Sequence, residues 1–149
     1  MLDWFKTNAS KARAALAQEV GKFGNRRFME AVAAACAMIA AADGEVSAAE
    51  KQKMIGFMQN SPELRFFDVD EVVTAFNVAA AKFDQDRQIG QAQALKIIIR
   101  IKPDEGAARL LVRVACAIGA SDGHFDQHER AACRLICLEL GLNPADFEL

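Results

Sequence analysis

The chain's 149 residues are 52% apolar and 26% charged, enough hydrophobic material to bury one core, which excludes a disordered tail. Its longest uninterrupted apolar run, Ala31 to Ala42, stops short of the ~20 residues a membrane-spanning helix needs. A net charge of −2 excludes the broad basic footprint of a nucleic-acid-binding protein, so no nucleic-acid partner is expected.

Three prolines and nine glycines punctuate the chain and no β-branched alternation persists, so an all-α fold of about seven helices is expected. The first amphipathic segment runs from about Leu2 to Val20, with Phe5, Ala9, Ala12, Leu16 and Val20 at helical spacing, and ends at the Gly21 to Asn25 turn. Residues 1–30 hold six Lys/Arg against three Asp/Glu, whereas 31–149 hold twelve against seventeen: a basic leader on an acidic body. A second helix, about Arg26 to Ala42, is apolar nearly all round and therefore central, its alanines letting neighbours approach closely. It stops at Asp43-Gly44.

Ser47-Ala48-Ala49-Glu50 has capping-box spacing and opens a third helix through about Met58, before Asn60-Ser61-Pro62 breaks it. Asp68 or Asp70 caps a fourth, reaching about Phe83. Asp84 or Asp86 starts a fifth, reaching about Ile101. Lys102-Pro103 ends it, and Pro103 suits the first position of a sixth helix, about Asp104 to Ala120. The seventh runs from Asp126 to Leu140, with Gly141 as a left-handed stop.

Sliding the chain by 79 residues superposes Ile39-Ala40-Ala41-Ala42-Asp43-Gly44-Glu45-Val46-Ser47-Ala48-Ala49-Glu50-Lys51 on Ile118-Gly119-Ala120-Ser121-Asp122-Gly123-His124-Phe125-Asp126-Gln127-His128-Glu129-Arg130. In each copy an apolar helix ends at Asp-Gly, one apolar side chain turns back towards the core, and a capping residue launches the next helix. The pattern reads as one domain over residues 1–149, with repeat units at about 25–60 and 104–141 and a two-helix connection at 68–101.

The ordinary use of Glu50 and Glu129 is as the reciprocal carboxylates of capping boxes. Asp43 and Asp122 are harder to place. They end long apolar helices, where the negative pole of the macrodipole disfavours an anion by ~0.3 to 1 kcal/mol, so a compensating charge is expected. If the repeats pack about a pseudo-twofold axis, both elbows lie at one end of the bundle and Asp43, Glu50, Asp122 and Glu129 approach one another. Those carboxylates then either stay apart in solvent or share a cation. Oxygen ligands alone favour a hard ion such as Ca²⁺, Mg²⁺ or Mn²⁺. The EF-hand spacing is absent, because Gly44 follows Asp43 directly and Glu50 comes seven residues after it.

The two elbows, together with Lys51-Gln52-Lys53-Met54-Ile55-Gly56-Phe57, Phe83-Asp84-Gln85-Asp86 with Ile89-Gly90, and Leu142-Asn143-Pro144-Ala145-Asp146-Phe147, closely resemble the bacterial tellurite resistance protein TerB family. The resemblance covers essentially the whole chain. It implies an all-α fold of two pseudo-symmetric helical bundles, a role in resistance to tellurite and related stresses, and a divalent-metal site. It also implies partners: a TerC-like membrane protein and TerD-like calcium-binding proteins. Carried over position by position, the metal ligands are Asp43, Glu50, Asp122 and Glu129. His124 stands where the first copy has Glu45, so the second elbow is less acidic.

Other constellations are weaker. Asp84-x-Asp86 suits helix-start capping, with extra oxygen ligation as an alternative. His124-x-x-x-His128 and Cys133-x-x-x-Cys137 invite a zinc reading, but His124 precedes the helix cap while Cys133 and Cys137 align with Met54 and Met58 at core positions. The four cysteines, with no C-x-x-C pair and apolar surroundings, suit reduced packing thiols. The leader, with Leu2, Trp4 and Phe5 followed by Lys6, Lys11 and Arg13, suits a docking helix closing the bundle, or an anchor on an anionic membrane.

The first residues lack a secretory pattern, which points to the cytoplasm and to the inner face of the membrane if the leader anchors. The expectation is thus a non-enzymatic, metal-binding helical adaptor in a tellurite and stress-resistance assembly, calcium being the favoured ion. The rivals are a metal-independent protein-interaction module and a thiol- or metal-dependent enzyme acting on tellurite. No nucleophile elbow, phosphate loop or H-E-x-x-H supports the last.

Overall fold

Two nearly all-apolar helices govern the architecture, because each must be surrounded. The computed structural model describes residues 9–23, 25–44, 46–121 and 123–149. Among them are seven α-helices and no strand: α1 (Ala9–Phe23), α2 (Arg26–Ala40), α3 (Ala48–Gln59), α4 (Val69–Gln85), α5 (Arg87–Ile98), α6 (Glu105–Gly119) and α7 (Gln127–Glu139), with short 3₁₀ turns at Pro62–Leu64, Ile99–Ile101 and Pro144–Phe147. Every residue of α2 from Phe28 to Ile39 except Glu30 is buried, and α6 is buried on all but its Arg109 and Arg113 side. α2 packs against α4, α5, α6 and α7, its run of alanines allowing the close approach. No helix among the described residues is long and apolar enough to cross a membrane.

The caps decide the boundaries the sequence left open. Asp68, not Asp70, caps α4, accepting from the Asp70 and Glu71 N–H groups. Asp86, not Asp84, caps α5, and the same residue closes α4, so one extended residue turns the α4–α5 hairpin. Gly90 lies against Phe83 so closely that a Cβ there would stand 2.5 Å from the ring and 2.7 Å from the Phe83 Cα. Pro103 does not occupy the first turn of α6. It precedes the capping residue Asp104, whose side chain accepts from the Ala107 N–H at 3.1 Å.

α1, described from Ala9, runs through Gly21 to Phe23, past the expected stop. Leu2, Trp4 and Phe5, expected in a docking helix or a membrane anchor, lie outside the described residues. Ala12, Leu16, Ala17 and Val20 bury α1's apolar face, and Arg13 ties the helix down at its edge. Its guanidinium makes a bidentate pair with Glu63 at 2.7 and 3.0 Å and donates to the Ser61 hydroxyl at 3.1 Å. Glu63 is fully buried, so this ion pair closes α1 over the Pro62–Leu64 turn.

Candidate cation site at the helix elbows

The two elbows make the same local turn. After α2, the Ala42 N–H donates to Ile39 O and the Gly44 N–H to Ala41 O; after α6, the Ser121 N–H donates to Ile118 O and the Gly123 N–H to Ala120 O. Both glycines take positive φ, +122° at Gly44 and +81° at Gly123, a conformation that side chains with a Cβ resist. Phe125 returns to the core and presses on Gly119, where a Cβ would meet its ring at 2.9 Å. Val46 is half-buried.

A capping residue then starts the next helix in each. The Ser47 hydroxyl accepts from the Glu50 N–H at 3.1 Å. At the second elbow the box is reciprocal: the Asp126 carboxylate accepts from the Glu129 N–H at 2.8 Å, and Glu129 Oε1 accepts from the Asp126 N–H at 3.2 Å. Glu129 therefore has a capping role whatever else it does.

Three of the four expected ligands line one cavity. Asp43, Glu50 and Glu129 border a space of about 150 Å³ shared with Asp126, His128 and Lys53 and floored by Ile39, Met54, Phe57 and Gly119. Asp43 is exposed at its mouth, Glu50 and Glu129 are half-buried, and Glu50 Oε2 is enclosed. Asp122, the fourth, lies outside the described residues. Among those described, no three Asp, Glu, His or Cys side chains are grouped closely enough to hold an ion.

The elbows also carry cations that the sequence did not reveal. Arg87, from the start of α5, donates to the Ala42 carbonyl at 3.5 Å, placing a guanidinium at the negative end of α2. Arg13 donates to the Ser121 hydroxyl at 3.3 Å, doing the same at the end of α6. Lys53 lines the acidic cavity itself. A guanidinium thus stands at the C-terminal end of each of these two helices. No sequence signal pairs Arg13 or Arg87 with an elbow; only the fold brings them there. Asp84 pairs with Lys51 and Asp86 is a cap, so the D-x-D is occupied with structure.

The cysteines form a second cluster, remote in chemistry from the first. Cys36, Cys116, Cys133 and Cys137 are all buried free thiols from α2, α6 and α7. Burial pushes Cys36 up to about 12. Cys133 is held well above the ordinary thiol value, first by a hydrogen bond with Cys116 and then by desolvation. Burial and the neighbouring Cys116 push Cys137 up to about 12. This is the reverse of the electropositive, partly exposed setting of a reactive thiolate. His124 and His128 are exposed while Cys133 and Cys137 are buried, so the four share no environment that zinc would bind.

A family model described as tellurite resistance protein TerB matches residues 29–149, which include both elbows and exclude α1. The tellurium resistance protein TerB of Alcaligenes sp is 42% identical over 112 residues, spanning 75% of this chain and 92% of that protein. No solved structure matches the chain.

Proposed function

The chain belongs to the TerB family of tellurite resistance proteins, and on that premise we propose that it is a non-enzymatic helical adaptor whose two elbows bind a divalent cation. The observation that carries this reading is the convergence of Asp43, Glu50 and Glu129, from α2's end and the first turns of α3 and α7, on one cavity. Asp122 is the fourth ligand. The elbows are the connections of two repeat units, about 25–60 and 104–141, in one pseudo-symmetric domain, and the ion ties the units together. An oxygen-only donor set suits Ca²⁺ first, then Mg²⁺ or Mn²⁺. A cation bound only by the folded chain stabilises it, so occupancy alters the stability of the bundle and the surfaces offered to partners. The adaptor works in a tellurite and stress-resistance assembly at the inner face of the membrane, beside a TerC-like membrane protein and TerD-like calcium-binding proteins.

Arg13, Arg87 and Lys53 favour a second reading, a metal-independent interaction module in which those cations balance the carboxylates. Calorimetric titration of metal-stripped protein with Ca²⁺, Mg²⁺ and Mn²⁺ separates the two. The adaptor reading expects a saturable Ca²⁺ isotherm that Asp43→Asn and Glu129→Gln each weaken by about tenfold or more, and that Lys53→Met strengthens. An isotherm identical in wild type and both acidic variants rules out the shared site. Catalysis on tellurite by the thiols is the least supported reading, since burial keeps them protonated.

A further inference from the structure

Away from the elbows, α2, α4 and α5 leave a groove of about 380 Å³ between them. Its floor is apolar and shallow-sided: Ala75, Val78 and Ala79 of α4 and Ile97 of α5. Val78 is 58% exposed, while Val72, Phe76, Ala79 and Ala80 of the same helix are buried. The alanines present little side chain, which lets a second helix lie close to the α4 backbone. At one end the groove is rimmed by Asp68, Asp70 and Glu71 in the first turn of α4 and by Glu30 of α2. Arg26 is the one cationic residue lining it, and Glu30 already holds its guanidinium at 3.2 Å. Asp68 caps α4, but Asp70 and Glu71 have no such duty in holding the turn.

We propose that this groove docks a basic amphipathic helix of a partner protein, its Lys/Arg residues against Asp70 and Glu71 and its apolar stripe along Ala75, Val78 and Ile97. Glu71, Ala75 and Val78 recur at helical spacing on one face of α4, so acid end and apolar floor are successive parts of one strip. From Asp70 to Val78 the strip runs roughly 12 Å, two turns of helix at 1.5 Å per residue. The occupant therefore carries its cations about two turns from its apolar contacts. The acidic rim repels an anionic bilayer, which argues for a protein helix over a lipid surface. This surface is separate from the elbow cavity and does not depend on an ion there.

The test is a backbone amide NMR titration of the full chain with a synthetic Lys/Leu amphipathic helix, alongside the same peptide with every Lys replaced by Glu. The proposal expects shifts confined to residues flanking the groove, no binding of the acidic peptide, and weakening as salt rises. It also expects a loss of about tenfold in affinity in Val78→Asp and in the Asp70→Asn/Glu71→Gln double variant. Val78 is exposed, and the double variant keeps the Asp68 cap, so both fold. Shifts centred on the elbow cavity, or equal binding by both peptides or by both variants, overturn it. So does concentration-dependent dimerisation abolished by Val78→Asp, which gives the groove to a second copy of the chain. Tighter binding of anionic vesicles than of the basic peptide, lost in Val78→Asp, gives it to lipid.

Discussion

Arg13 and Glu63, fifty positions apart, are joined by two hydrogen bonds of 2.7 and 3.0 Å, and Glu63 has no solvent exposure. A buried carboxylate that loses its partner is left desolvated, which costs far more than the pair contributes net. Arg13→Ala is therefore expected to destabilise the chain by about 3 to 5 kcal/mol in urea unfolding, with α1 the element that releases. Arg13→Met combined with Glu63→Leu is expected to recover most of the loss, since it removes both charges and fills the space. A single variant within about 1 kcal/mol of wild type shows instead that water reaches Glu63 once α1 lifts.

The buried thiols make stability depend on alkaline pH. Cys36 and Cys137 sit near 12 in the folded chain against an ordinary value of 9.0, so above that value the unfolded chain loses thiol protons while the folded chain keeps them. Stability from this source is whole below about pH 9 and falls as pH rises towards 12, by up to ~1.4 kcal/mol per pH unit per thiol. There is no tyrosine to add its own titration in the same window. Chemical unfolding at several pH values between 9 and 12 should show a shallower fall for Cys36→Ala than for wild type. Parallel lines for the two exclude Cys36 as a source of the slope.

Gly90 is tied to the α4–α5 hairpin by contact, not by backbone conformation. A methyl group there would stand 2.7 Å from the Phe83 Cα, a backbone atom that cannot swing away, and 2.5 Å from the ring. Gly90→Ala is expected to cost about 1 to 3 kcal/mol, even though alanine is the better helix former, because the hairpin must open to admit it. The pair Gly90→Ala with Phe83→Ala should be less destabilised than the sum of the singles, as measured by a double-mutant cycle. Strict additivity removes the contact as the reason.

Helix order and the elbows were legible in the sequence because they rest on local chemistry. The Ser47 and Asp126 caps, the Asp-Gly stops and the apolar flanks of α2 and α6 each involve residues a few positions apart. Where two aspartates competed, as at Asp84 and Asp86, the choice turned on which carboxylate reached two N–H groups, a matter of ångströms that spacing alone leaves open. The Arg13–Glu63 pair, Arg87 over the Ala42 carbonyl and the contact of Cys116 with Cys133 were not legible. Each joins positions well separated in the chain, and the residues carry no periodic mark of their partners. Arginine reaches the ends of α2 and α6, at the Ala42 carbonyl and the Ser121 hydroxyl, from helices distant in the chain.

The elbow itself tests whether Glu129 is a cap, a ligand or both. Its Oε1 accepts the Asp126 N–H, and Asp126 in turn accepts the Glu129 N–H. Asp126→Ala removes a helix cap and should cost about 1 kcal/mol without calcium. Glu129→Gln keeps an amide oxygen able to accept the same N–H, so its metal-free stability should stay within ~0.5 kcal/mol of wild type. The charge is what Glu129→Gln deletes. Thermal unfolding with and without Ca²⁺ should therefore show a Tm rise in wild type and in Asp126→Ala, and a much smaller one in Glu129→Gln. The opposite pattern, a costly Glu129→Gln whose Tm still rises with Ca²⁺, assigns the carboxylate to the helix start alone and leaves the cavity to Lys53 and its neighbours.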